Sequence, residues 1–237
     1  MLAVALKLAH CWQSWVSRRS AEPMSLWHGI GRQLGNPQGF VGRAIGRMMR
    51  VANDRPTRLV VDALDARPGE MLLDIGFGPG HAVALLANTA RCVYGIDRSD
   101  TMLRQASRLN RRAIGAGRVC LSTGDFSQLP YPDGFFDGII ASNVLYFWED
   151  HGVVLAEIRR VLKPGGRLCI YVTDAATMQR WRFAGVETHR HFTADQLTEI
   201  LVGAGFALDS LNVRSVAIAQ DVGGIIVTAY DNRVVWT

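Results

Sequence analysis

Few cysteines, no long apolar run and a shortage of acid near its start mark this sequence. Its 237 residues include four cysteines, Cys11, Cys92, Cys120 and Cys169, none in C-x-x-C spacing. That spacing excludes the common zinc and redox motifs, so no metal is expected. Buried free thiols in a reducing cytoplasm is the reading it favours. No apolar stretch approaches the ~20 residues of a membrane-spanning helix. The phosphate-cradling glycine loop with its Lys and Ser/Thr is missing as well. Up to Arg58 there are nine Lys/Arg against two Asp/Glu; beyond it, seventeen against nineteen. The net charge of +5 therefore belongs to the N-terminal segment, and the rest of the chain is close to neutral. A nearly neutral body argues against a nucleic-acid enzyme, whose cleft needs a positive face.

What is present is globular in character: 49% hydrophobic and 20% charged residues, in a length suited to one large α/β domain. The stretch Leu72-Leu73-Asp74-Ile75-Gly76-Phe77-Gly78-Pro79-Gly80 runs from strand character into three alternate glycines. A helical pattern over 81–89 follows at once, so the turn aims backbone N–H groups at whatever lies above it. The spacing is G-x-G-x-G, not the G-x-G-x-x-G of a nicotinamide-binding turn. Strand and helix patterns then alternate. Strands are expected over 71–75, 92–96, 119–122, 136–142 and 167–172, and helices over 81–89, 99–114 and 150–162. Arg104, Arg108, Arg111 and Arg112 fall on outer helix faces, and Lys163-Pro164-Gly165-Gly166 reads as a stop and turn. Thr193-Ala194-Asp195-Gln196 matches a capping box opening another helix. Strands over 206–213 and 225–230 close the chain, with Trp236 against that edge. This alternation implies an α/β fold, Rossmann-like and doubly wound, with a mostly parallel sheet covered by helices on both faces.

Three units are expected: an N-terminal tail over 1–23, a helical cap over 24–56 and the main domain over 57–237. The tail reads as a targeting peptide, a peripheral membrane helix or a start placed too early. Within the cap, 40–50 carries Val41, Ala44 and Met48 on one helical face and Arg43, Arg47 and Arg50 on another. That face is solvated, caps the active site, or makes a weak contact with a membrane surface. A second short helix is expected over 57–66.

In an open α/β sheet, ligands bind beyond the carboxyl ends of the strands. Asp74, Gly76, Phe77 and Gly78 fall there after the first strand, Asp97 after the second, Asp125 and Phe126 after the third and Asn143 after the fourth. A carboxylate at Asp97 suits a pair of ribose hydroxyls. Asp125 suits an adenine amine, with the Phe126 ring beside it. An uncharged-linker nucleoside fits this set better than ATP.

Leu72–Gly80, Gly95-Ile96-Asp97, Gly124-Asp125, Phe136-Asp137 and Leu162-Lys163-Pro164-Gly165-Gly166 together resemble the successive motifs of class I S-adenosylmethionine-dependent methyltransferases, over roughly residues 57–230. The resemblance implies a seven-stranded sheet with the last strand inserted antiparallel. It places Gly76 and Gly78 under the methionine part of S-adenosyl-L-methionine with Asp74 nearby, the ribose on Asp97 and the adenine amine on Asp125. Arg98 stands where relatives often place an apolar residue against adenine, a role its stem can fill.

The implied reaction is in-line methyl transfer to an O, N or C nucleophile of a small molecule, because Asn143-Val144-Leu145-Tyr146 lacks the Asn-Pro-Pro-Tyr run of nucleic-acid N-methylation. Tyr146, Phe147, Trp148, His189 and His191 are the candidates near the acceptor; no residue is assigned as the base. A cofactor-bound non-catalytic module, or a membrane-associated one, is the alternative, and the sequence leaves the oligomeric state open.

Overall fold

A computed structural model describes residues 53–181, 184 and 189–233. The expectations for the tail, for residues 24–52 of the cap and for Trp236 lie outside the described residues. The strands are β1 (Met71–Ile75), β2 (Cys92–Asp97), β3 (Val119–Thr123), β4 (Phe136–Ser142), β5 (Leu162–Thr173), β6 (Leu211–Ala219) and β7 (Val222–Tyr230). The helices are α1 (Asp54–Leu64), α2 (His81–Leu86), α3 (Asp100–Leu109), α4 (Arg111–Gly115), α5 (His151–Val161), α6 (Ala175–Met178) and α7 (Ala194–Gly203).

Leu72 and Leu73 show how the layers form. Successive strand side chains point to opposite faces, and both leucines are fully buried. Leu72 joins Val60 and Leu64 of α1, Val83 and Leu86 of α2, and Met102 and Ala106 of α3. Leu73 joins Leu155 and Ile158 of α5 and Leu197 and Leu201 of α7. The sheet is thus covered on both sides. Its order is β3-β2-β1-β4-β5-β7-β6, with β7 antiparallel between β5 and β6, the seven-stranded arrangement expected. The chain builds outward from β1 to β3 and then returns to place β4 on the other side of β1. Where that reversal occurs, the connections leave the strand ends in opposite directions and a crevice opens.

Four local expectations are corrected. The helix predicted over 99–114 is broken at Asn110, whose side-chain amide donates to Gly80 O (3.1 Å) and Ala106 O (2.9 Å) and so ends α3 against the glycine turn. Lys163-Pro164-Gly165-Gly166 does not stop a helix and turn into a new strand. It lies within β5 as a bulge, for Phe136 pairs with Leu162 and Gly138 with Arg167. The Gly165 N–H donates to Asp231 O (2.7 Å), and the Asp231 N–H to Gly166 O (2.9 Å). The strand predicted over 206–213 begins only at Leu211, behind a short 3-10 turn over Leu208–Ser210. Cys169 is a buried free thiol as expected, but Cys120 is exposed and Cys92 half-buried, since both sit near the β3 edge of the sheet.

Candidate active site

The glycine turn and the next strand end are built as one unit. Gly76 follows β1, donates its N–H to Ile96 O of β2 (2.8 Å) and has φ of +71°. A Cβ there would stand 2.5 Å from Val144 Cγ2, so only glycine fits the backbone against the loop after β4. Gly78, at φ +51°, has nothing within 4 Å of where its Cβ would be. Its missing side chain leaves open space for a ligand. The Gly78 N–H donates to Asp97 Oδ2 (2.9 Å), while Asp97 Oδ1 accepts from Ser99 N–H (2.8 Å). A carboxylate has about four acceptor sites, so each oxygen keeps capacity for a ligand hydroxyl. Burial raises the Asp97 pKa against the lowering pull of these N–H groups.

Asp74, one pleat below the turn, is only 2% exposed. Its Oδ2 has no hydrogen-bond partner among the described residues. Burial, and secondarily the Asp97 charge, push its carboxyl up to about 8. A cationic or hydrogen-donating group of a ligand would supply what Asp74 lacks.

The crevice over these residues is also lined by His81, Arg98, Met102, Phe126, Asn143 and Phe147, with Asn53 and Thr57 at the start of α1. Its enclosed volume is about 90 Å³, well under the ~300–1,000 Å³ of a closed ligand pocket. The crevice is therefore an open groove, not a closed pocket. Asp74, Gly76, Phe77, Gly78, Asp97, Arg98, Phe126 and Asn143 are brought together here.

Asn143 is held by its neighbours. It adopts φ +53°, a left-handed conformation that asparagine tolerates. Its Oδ1 accepts from the Tyr146 hydroxyl (2.7 Å) and the Thr173 N–H (3.2 Å), and its Nδ2 donates to Asn53 Oδ1 (3.2 Å).

The other candidates fall elsewhere. Asp125 does not line the crevice: its side chain is 60% exposed at the rim and is paired with Arg98 Nη2 (3.1 Å). Hydrogen bonds from Ser127, and then from Arg98, hold its carboxyl below the usual range. The Arg98 guanidinium also lies 4.9 Å above the Phe126 ring, so Arg98 contacts both Asp125 and Phe126, the residues expected beside adenine. Tyr146 is buried and braces Asn143 through its hydroxyl without lining the crevice, and burial pushes its phenol well above the usual range. Trp148 is 1% exposed in the core formed with α5, because the turn after the 3-10 segment Leu145–Phe147 directs it inward. His191 Nε2 contacts Ala184 O (2.7 Å) in the segment before α7, away from the crevice lining. His189 is buried, which pushes its imidazole down to about 4. His81, Thr57 and Asn53 were not singled out from the sequence. For His81 the signal was present, since it directly follows the glycine turn.

A mostly parallel sheet with a crevice at its chain reversal, and a strand-end carboxylate bonded to the glycine turn there, defines a Rossmann-like α/β protein with a candidate ligand site. The comparisons narrow this. Residues 73–170 match the methyltransferase domain family. Methyltransferase GfsG of Streptomyces halstedii is 32% identical over 190 residues, covering 76% of this chain and 68% of that protein. O-methyltransferase resE of Aspergillus sclerotiorum is 37% identical over 123 residues, 52% of this chain and 47% of that protein. Among solved structures, the [4+2]-cyclase SpnF superposes with a TM-score of 0.63 at 25% identity, covering 75% of this chain and 81% of that one. The chain belongs to the class I S-adenosylmethionine-dependent methyltransferase family. It spans about half the length of resE and of several other relatives it matches.

Proposed function

We propose that this chain binds S-adenosyl-L-methionine in the β1–β4 crevice and transfers its methyl group in line to a small-molecule acceptor, a hydroxyl oxygen first among the candidates. The observation that carries the reading is Asp97, nearly buried yet tied by Gly78 to the open glycine turn. The residues fit the cofactor: Gly78 leaves room for it, Asp97 retains acceptor capacity for two hydroxyls, and Asp74, which lines the crevice, has an oxygen without a partner among the described residues that an ammonium group would satisfy. Phe126 and the Arg98 stem offer an apolar seat for the base. Asp125 contributes only where Arg98 releases it. A location in the cytoplasm belongs to the same reading.

The cofactor supplies an activated methyl, so the protein's main task is alignment, which contributes ~7–11 kcal/mol in well-oriented reactions. The backbone of Gly76 and Gly78 sets one end, Asp97 the middle, and the Asn143 amide, fixed by Tyr146, borders the acceptor side. Met102, Phe126 and Phe147 exclude water from one wall. The titratable residues among those lining the crevice are Asp74, His81, Asp97 and Arg98; none is assigned as a base.

The hydroxyl preference comes from relatives described as O-methyltransferases, resE and cnsE among them. The test is a labelled-methyl transfer screen over phenols, quinols, amines and fatty acids, with binding followed by calorimetry. No heat with S-adenosyl-L-methionine would sink the whole reading. Binding without transfer to any acceptor would favour a second one, a cofactor-bound protein with another activity, which the likeness to a [4+2]-cyclase keeps open.

A further inference from the structure

We infer that the outer face of α3 and α4 is a docking surface for an anionic lipid bilayer. Residues 99–118 hold five arginines, Arg104, Arg108, Arg111, Arg112 and Arg118, against one acid, Asp100. All five are exposed, and Arg91 beside them is exposed too. None of the five forms an ion pair with another described residue. Two large aliphatic residues stand in the same patch, Leu109 at 45% exposure and Ile114 at 36%. An amphipathic helix is held in place by its buried face, yet α4 has no buried residue at all. Beside it a cleft of about 410 Å³ is lined by Asn88, Asn110, Arg111, Arg112 and Arg118.

The charge decides what can cover this face. The chain's own first 52 residues carry seven Lys/Arg and one Asp/Glu, so they repel it. A second copy would bring the same arginines to meet them. The occupant is therefore anionic, and the aliphatic pair chooses among anionic occupants. Arginines around exposed Leu and Ile are the make-up of an interfacial helix, whose apolar tips enter the acyl boundary while guanidinium groups meet lipid phosphates. Arg91 and Arg118 precede β2 and β3, at the strand ends opposite the crevice. Docking there leaves the crevice open to solvent. The inference does not depend on methyl transfer.

Sedimentation of the full chain with vesicles tests it, using phosphatidylcholine alone and phosphatidylcholine mixed with phosphatidylglycerol. Binding is expected only to the anionic vesicles and should fall with added salt. The Arg104→Gln/Arg108→Gln/Arg111→Gln/Arg112→Gln variant should lose it by about tenfold or more, since each basic residue near such a surface adds several-fold. Leu109→Ser/Ile114→Ser should weaken it by a smaller factor. Arg43→Gln/Arg47→Gln/Arg50→Gln serves as the comparison for the N-terminal basic segment and should retain most of it. Thermal melting of each variant checks that it folds. Equal binding by the α3–α4 variant and the unaltered chain overturns the inference. So does loss confined to the N-terminal variant, or binding to a soluble polyglutamate in preference to the vesicles.

Discussion

Asp74 concentrates the electrostatic cost of the site in one side chain. Its pKa lies near 8 in the folded chain against 3.8 as the ordinary value, chiefly through burial. Between those values the unfolded chain releases this proton and the folded chain keeps it, so the folded state binds more protons and stability falls as pH rises. Asp74→Asn abolishes that slope. The melting temperature of the variant relative to the unaltered chain should therefore climb from about pH 4 to about pH 8; a constant difference would refute the assignment. Asp97 differs because both its oxygens already serve the protein. Asp97→Ala should weaken S-adenosyl-L-methionine binding by ~1.5–3 kcal/mol, as for a hydrogen bond to a charged group, and an unchanged calorimetric Kd would remove it from the site. Tyr146 acts one layer deeper. Tyr146→Phe takes away the donor to Asn143 Oδ1 and the acceptor, at 2.5 Å, of the Thr173 N–H. A stability loss of ~1–3 kcal/mol in urea unfolding is expected for the buried groups left short of partners.

At the scale of elements, the turn after β1 separates folding from binding within two residues. Gly76→Ala puts a methyl into Val144 at a positive φ and should lower the melting temperature sharply. Gly78→Ala meets no protein atom, so its cost is the left-handed backbone, ~1–2 kcal/mol. The new methyl stands in the crevice. Gly78→Ala should therefore fold and fail to bind S-adenosyl-L-methionine, and full affinity in that variant would show that the ligand does not approach this backbone. The turn was legible in the sequence because its chemistry is local: alternate glycines, a strand before and a helix after. The capping box at Thr193 and Gln196 was legible for the same reason, and both of its hydrogen bonds are present. The break at Asn110 was not, since it depends on Gly80 thirty residues away. The bulge in β5 was hidden similarly, because Gly165 and Gly166 bond to Asp231. The pairing of Asp125 with Arg98 was not legible either, because the place of Asp125 after β3 is a sequence property while its partner is a spatial one.

Across the whole molecule, the same distinction between local and distant partners divides the sheet. The family match covers residues 73–170, which contain all but the first two residues of β1, then β2 to β4 and most of β5. That half holds every crevice-lining residue except Asn53 and Thr57. β6 and β7 close the far edge through antiparallel pairing and contribute nothing to the lining. A ligand seated over β1, β2 and β4 therefore bridges the two sides of the chain reversal and should stabilise that half directly. At a hundredfold excess over Kd the linkage adds ~2.7 kcal/mol against global unfolding. Local openings respond only where the ligand contacts the opening segment. Native-state hydrogen exchange with and without S-adenosyl-L-methionine should show added protection at Gly76, Gly78 and the carboxyl ends of β1 and β2. Sub-global openings within β6 and β7 should keep their rates. Protection confined to β6 and β7 would put the ligand at the opposite edge and overturn the crevice as its site.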